Sequence, residues 1–213
     1  MSPRPSLPPT GRDPASLPPS ESSLWNLPNA LTMLRLVLVP VFAYFLVVED
    51  GENTAYRYTA AAIFVIASIT DFLDGYLARK RDLVTTFGKV ADPIADKALT
   101  GVALIGLSWL GQLPWWVTVI ILGREIMVTV LRFWVIKHGV ISASRGGKAK
   151  TVSQMVAIVA FILPNVPDEL RWVLMGIALL LTVLTGLDYV RRALQVRAFG
   201  QLRDEAGLPR PPR

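Results

Sequence analysis

The chain has 213 residues, 52% of them hydrophobic, with no cysteine, one histidine and a net charge of +6. Without cysteine there are no disulfides, thiolate zinc sites or Cys nucleophiles, and one histidine argues against His-rich metal sites and His-based triads. A mean hydropathy of +0.45 and long apolar blocks argue against an ordinary soluble domain, leaving nucleic acid or a membrane to explain the basic excess.

Residues 1–23 carry seven prolines (Pro3, Pro5, Pro8, Pro9, Pro14, Pro18 and Pro19) among small and charged residues. So little apolar surface cannot offset the entropy of ordering, so a disordered cytoplasmic tail is expected. It lacks the apolar run and cleavage site of a signal peptide. Six apolar blocks follow: Leu27–Val48, Tyr58–Leu77, Ala98–Leu110, Trp115–Ile136, Thr151–Leu163 and Leu170–Val190. About 20 helical residues cross ~30 Å of hydrocarbon. The first, second, fourth and sixth blocks reach that length. The third and fifth do so only if helix continues through Asp92–Lys97 and Gly146–Lys150. The expected fold is all-α, a bundle of six transmembrane helices over residues 24–199, with a flexible tail over 200–213.

The connectors alternate in charge. Glu49–Glu52 is acidic, Arg79–Arg81 basic, Gly111–Pro114 uncharged, Lys137–Lys150 basic and Asp168–Glu169 acidic, and Arg191, Arg192, Arg197 and Arg203 follow the last block. Only Arg57 and Arg171 fall in connectors on the opposite side. The positive-inside rule therefore puts both termini and the basic connectors in the cytoplasm, and a bacterial plasma membrane is expected. Trp25, Trp115 and Trp116 sit at block boundaries, as in an aromatic belt. A nucleic-acid surface would not alternate at membrane-length intervals, so no nucleic-acid partner is expected. A soluble helical core would have to bury charge-free runs such as Ala98–Leu110 and Val173–Leu187.

Against this background one stretch is anomalous: Asp71, Asp74, Gly75, Ala78 and Arg79, then Gly88, Asp92 and Asp96. An aspartate at mid-membrane costs about 2.5–3.5 kcal/mol on insertion scales, so four near one face need cations, water or basic partners. At about 100° per residue, Asp71, Asp74, Gly75 and Ala78 share one helix face, where the small residues let a ligand approach the backbone. Asp92 and Asp96, four apart, share a face of the next helix. Oxygen donors without His or Cys select a hard divalent cation, Mg²⁺ or Mn²⁺, and two ions can share such a cluster. The competing account is a salt-bridge net with Arg79, Lys80, Arg81, Lys89 and Lys97, which suffices for Asp82.

The pattern D-x2-D-G-x2-A-R-x8-G-x3-D-x3-D resembles that of the CDP-alcohol phosphatidyltransferases at every fixed position, and the resemblance covers about Asn26 to Arg192. It implies six transmembrane helices, a homodimer among membrane lipids, and cation-dependent transfer of a phosphatidyl group from a CDP-linked lipid to an alcohol, with release of CMP. By the same resemblance Asp71, Asp74, Asp92 and Asp96 hold the metals. Gly75, Ala78 and Arg79, with Asp71, receive the CDP-lipid, and Asp96 is the general base. Direct displacement is favoured over an enzyme-bound intermediate.

In the opening stretch Asn26-Leu-Pro-Asn-Ala-Leu-Thr-Met-Leu-Arg, Thr32 and Arg35 join the positions expected to bind the CDP-lipid. A guanidinium at the depth of Arg35 is costly unless it meets an anion such as the pyrophosphate. Arg124 and Arg132, with Lys148 and Lys150, are expected to receive an acceptor phosphate, because arginine's planar fork suits phosphate and lysines add charge. The competing account neutralises Arg124 with Glu125. His138 is expected to be a solvated cap. Arg124-Glu-Ile, Leu131-Arg132, Gly147-Lys148, Lys150-Thr151 and Gln154-Met155 are similar to the branch of the family that uses glycerol phosphate. The implied reaction joins CDP-diacylglycerol and sn-glycerol 3-phosphate to give phosphatidylglycerophosphate and CMP. The alternatives are another acceptor within the family (phosphatidylglycerol, as in a cardiolipin synthase, or inositol phosphate) and, outside it, a cation transporter using the acids as its ion path.

Overall fold

The computed structural model describes the backbone of residues 27–81, 86–135 and 145–205, and the side chains of 33–70, 97–131, 134 and 146–198. Six helices account for nearly all of it: α1 (Leu27–Val47), α2 (Thr54–Arg81), α3 (Thr86–Trp109), α4 (Trp115–Val135), α5 (Arg145–Ile162) and α6 (Asp168–Glu205). A 3-10 turn, Val48–Gly51, separates α1 from α2, and no strand occurs among the described residues. Each apolar block lies on its own helix. The two short blocks lengthen through their polar flanks: α3 takes in residues 86–97 and α5 takes in 145–150. α6 runs on to Glu205, into the stretch expected as tail, while residues 1–26, 206–213 and His138 lie outside the described residues.

α1 packs against α2 and α3, α6 packs against α4 and α5, and α5 also reaches α2 and α3. The shared core is apolar: Phe42 and Leu46 of α1, Phe64 of α2, Leu104 and Leu107 of α3, Ile121 of α4, Ile158 and Phe161 of α5 and Met175 of α6. The Phe42 and Phe64 rings meet at 5.6 Å between centroids. Gly106 permits a close approach of α3 to α1, since a Cβ there would stand 2.6 Å from Leu46 Cδ2. The outer faces are apolar too. Val37, Ile66, Trp109, Val119, Ile126, Val152, Val173 and Leu180, drawn from all six helices, are exposed. Among the described residues one helix, Asp168–Ala198, is by itself long and apolar enough to cross a membrane.

At one end of the bundle the connectors are tied together by Arg57, which is almost wholly buried. Its Nε donates to Ile162 O at 2.7 Å, and its Nη2 donates to Phe161 O and to Gln112 Oε1. Arg171 Nη2 donates to Leu163 O and Pro164 O at 2.7 and 3.0 Å. The last carbonyls of a helix have no partner within it, and the negative end of the helix dipole favours a cation there. The two basic residues that the charge pattern leaves on this side thus serve as caps for the end of α5. The adjoining turn is unusual, because Glu49, Asp50 and Gly51 all have positive φ. Asn53 steadies it: its Nδ2 donates to Glu49 Oε2, and its Oδ1 accepts the first free amides of α2, from Ala55 and Tyr56.

Candidate active site between the aspartate level and Glu125

The helix bounds bring the aspartate positions to matching depths. Asp71 and Asp74 precede the end of α2 by about 15 and 10 Å along the axis, at ~1.5 Å per residue. Asp92 and Asp96 follow the start of α3 by about 9 and 15 Å. Only residues 82–85 join the two helices, so the four positions stand in two level pairs near the same end of the bundle. Arg35, about 12 Å into α1, lies at a similar level and is 1% exposed. The side chains of the four aspartates, and of Thr32, Gly75, Ala78, Arg79 and Arg132, lie outside the described residues. Among the described residues no three His, Cys, Asp or Glu side chains gather as a metal site. Four carboxylates make an all-oxygen donor set, which fits a hard divalent cation.

Beside that level the described side chains form a charged cluster around Glu125 of α4. Its Oε1 accepts from Arg124 Nη1 at 2.9 Å and from Lys150 Nζ of α5, and its Oε2 stands 3.9 Å from Lys97 Nζ of α3. Lys97 is the residue after Asp96, so the cluster abuts the aspartate level directly. Two threonines complete it. Lys97 Nζ donates to Thr129 Oγ1 at 2.7 Å, and Arg124 Nη2 donates to Thr185 Oγ1 of α6 at 3.2 Å. Each hydroxyl gives its own proton to a carbonyl one turn back, Glu125 O and Leu181 O, and so turns lone pairs towards the cation.

Of the residues expected to meet an acceptor phosphate, Arg124 and Lys150 are therefore together, on different helices and largely buried. Lys148, two residues before Lys150 on α5, is exposed. Lys97 pairs with Glu125 and bonds Thr129, a partnership that the sequence, in which this lysine reads as a counterion of the aspartates, does not reveal. In the sequence Glu125 reads as a neutraliser of Arg124 and as the middle of the Arg124-Glu-Ile stretch, with no role of its own. The signal in the sequence is thin: an acid beside an arginine within an apolar block, with Thr129 one turn on.

A family model for CDP-alcohol phosphatidyltransferase matches residues 25–184, spanning the aspartate level and every member of the Glu125 cluster except Thr185. The chain belongs to that family. It is 57% identical over 183 residues to a probable phosphatidylglycerophosphate synthase of Mycobacterium tuberculosis, covering 85% of this chain and 87% of that protein. It is 38% identical over 181 residues to the CDP-diacylglycerol–glycerol-3-phosphate 3-phosphatidyltransferase of Bacillus subtilis, covering 78% and 94%. It is 40% identical over 185 residues to the enzyme of the same name in Pseudomonas fluorescens, covering 79% and 90%. This phosphatidyltransferase is thus an enzyme whose matched region includes nearly every helix described above.

Proposed function

We propose that this chain transfers the phosphatidyl group of CDP-diacylglycerol to sn-glycerol 3-phosphate, giving phosphatidylglycerophosphate and CMP. One observation carries the assignment: four aspartate positions at matching depth on α2 and α3 adjoin a cluster of cations from α3, α4 and α5. The first arrangement suits an activated pyrophosphate and the second a phosphorylated acceptor. The names borne by relatives 38% and 57% identical support the same pairing of substrates.

In this account Asp71, Asp74, Asp92 and Asp96 hold two ions, Mg²⁺ or Mn²⁺. Such ions, when bound, neutralise the pyrophosphate and make CMP a better leaving group. Gly75, Ala78 and Arg79 receive the CDP moiety, and Thr32 and Arg35 bind the same lipid from α1. Arg124, Arg132, Lys148 and Lys150 grip the acceptor's phosphate. Asp96 takes the proton from the acceptor's hydroxyl as that oxygen attacks the lipid-bearing phosphorus. The bond from phosphorus to the CMP oxygen breaks, and its electron pair leaves with CMP.

We also place the six helices across a plasma membrane as a homodimer, with both termini and the active site at the cytoplasmic face. Exposed Ile, Leu, Val and Trp on every helix support a lipid environment, because soluble monomers rarely show continuous apolar surface on this scale. The test is CMP release by the purified protein with CDP-diacylglycerol and Mg²⁺. Glycerol 3-phosphate, phosphatidylglycerol and inositol phosphate are supplied in turn. Release is expected with glycerol 3-phosphate alone, lost with a chelator and restored by Mg²⁺ or Mn²⁺. Release with a different acceptor would reassign the alcohol, and no release with any of them would overturn the function.

A further inference from the structure

We propose that Glu125 is a positioning residue for the acceptor, gathering Arg124, Lys150 and Lys97 into the one arrangement that grips its phosphate. This rests on the assignment of Arg124 and Lys150 to that phosphate. A carboxylate inside an anion site looks self-defeating until its geometry is followed. Three cations from three helices repel one another, and in a partly buried site that repulsion is weakly screened. Glu125 offers each of them a contact: Oε1 to Arg124 and Lys150, Oε2 towards Lys97. Among the described residues these four groups carry two net positive charges, the sign that a phosphate monoester dianion requires.

The second contacts of these cations show that their direction is fixed as well as their number. Arg124 is held along one edge by Glu125 and along another by Thr185, while its buried Nε has no hydrogen-bond partner among the described residues. Lys97 is held by Thr129, whose hydroxyl is itself anchored on the Glu125 backbone. Gly186 of α6 leaves room for the Arg124 stem, since a Cβ at that position would stand 3.1 Å from Arg124 Cγ. A guanidinium clamped in this way presents its donors in a set direction, which bidentate recognition of phosphate requires.

Glu125→Gln keeps the shape and removes the charge, and Glu125→Asp keeps the charge. In the full chain in detergent, Glu125→Gln is expected to raise the KM for glycerol 3-phosphate at least tenfold. The KM for CDP-diacylglycerol should stay within twofold, and Glu125→Asp should recover most of the loss. A purely structural carboxylate would lower Tm without separating the two KM values, and that result would overturn the proposal. Should Glu125→Gln fail to fold, Gly186→Ala supplies the reading, because its methyl displaces Arg124 and should raise the same KM about threefold. Arg124→Ala, assayed in parallel, tells the two failures apart. If it leaves the KM for glycerol 3-phosphate unchanged, the phosphate assignment falls and this proposal with it. If it raises that KM while the Glu125 and Gly186 variants do not, only the positioning role of Glu125 falls.

Discussion

Arg57 and Arg124 are both buried guanidiniums in a helical bundle, yet their surroundings differ in kind. Arg57 spends its donors on two backbone carbonyls at the end of α5 and one amide oxygen in the α3–α4 connector. Those acceptors are neutral, and each is the unpaired end of something the fold must close. Arg124 instead meets a carboxylate shared with two lysines, and a threonine hydroxyl already committed to its own helix. At the first site one cation satisfies several acceptors. At the second, three cations share one carboxylate among the described residues. A buried charge that closes helix ends serves stability, whereas like charges gathered around a shared carboxylate fit the proposed role in holding an acceptor phosphate.

That contrast is most exposed to a substitution at Arg57. Arg57→Met removes three hydrogen bonds and strands Phe161 O and Ile162 O, and a buried unpaired carbonyl costs about 1–3 kcal/mol. The expected loss is roughly 3 kcal/mol, or about 10 °C in Tm, with both KM values unchanged below the transition. Arg124→Met should do the reverse, keeping most of the Tm while losing acceptor affinity. If Arg57→Met instead raised the KM for glycerol 3-phosphate, the division of labour between the two sites would be wrong.

A smaller effect is expected at Gly106, where α3 packs tightly on Leu46 of α1. A methyl there meets Leu46 Cδ2 at 2.6 Å and Cγ at 3.6 Å, so Leu46 must leave its rotamer or the helices must part. Overpacking of this kind costs about 1–3 kcal/mol, and the lower half applies because the nearest atom ends a flexible side chain. Leu46→Ala in the Gly106→Ala background should recover part of the loss, and a double-mutant cycle on Tm would read the coupling. Additive effects would show that the two residues do not confront each other.

The six helices are legible in the sequence because hydrophobic blocks of membrane length report burial directly. Even the two short blocks announce their helices, provided the polar flanks at Asp92–Lys97 and Gly146–Lys150 are allowed to continue them. The aspartate level is legible for the same reason, since i, i+3 and i+4 spacing on two helices joined by a short connector fixes depth. Glu125 is harder to see. Lys97 lies 28 residues before it and Lys150 lies 25 after it, and periodicity says which face a residue takes without saying which helix lies opposite. The Arg57 caps are hidden for a related reason: backbone carbonyls look alike in every sequence, so a guanidinium destined for them carries no mark.

The mildest test concerns the turn that leads into α2. Glu49 and Asp50 adopt left-handed φ values of 54° and 53°, a region that costs a non-glycine residue about 1–2 kcal/mol. Asn53 offsets part of that by bonding Glu49 and capping the amides of Ala55 and Tyr56. Asn53→Ala should therefore lose about 1 kcal/mol, and Asn53→Ser, which keeps a cap but not the reach to Glu49, should lose less. Neither substitution touches the cations around Glu125, so thermal denaturation should register both while the kinetics of either substrate stay level. A change in acceptor KM with Asn53→Ala would mean that strain at this end is transmitted along α2 to the aspartates, and the two ends would then be one mechanical unit.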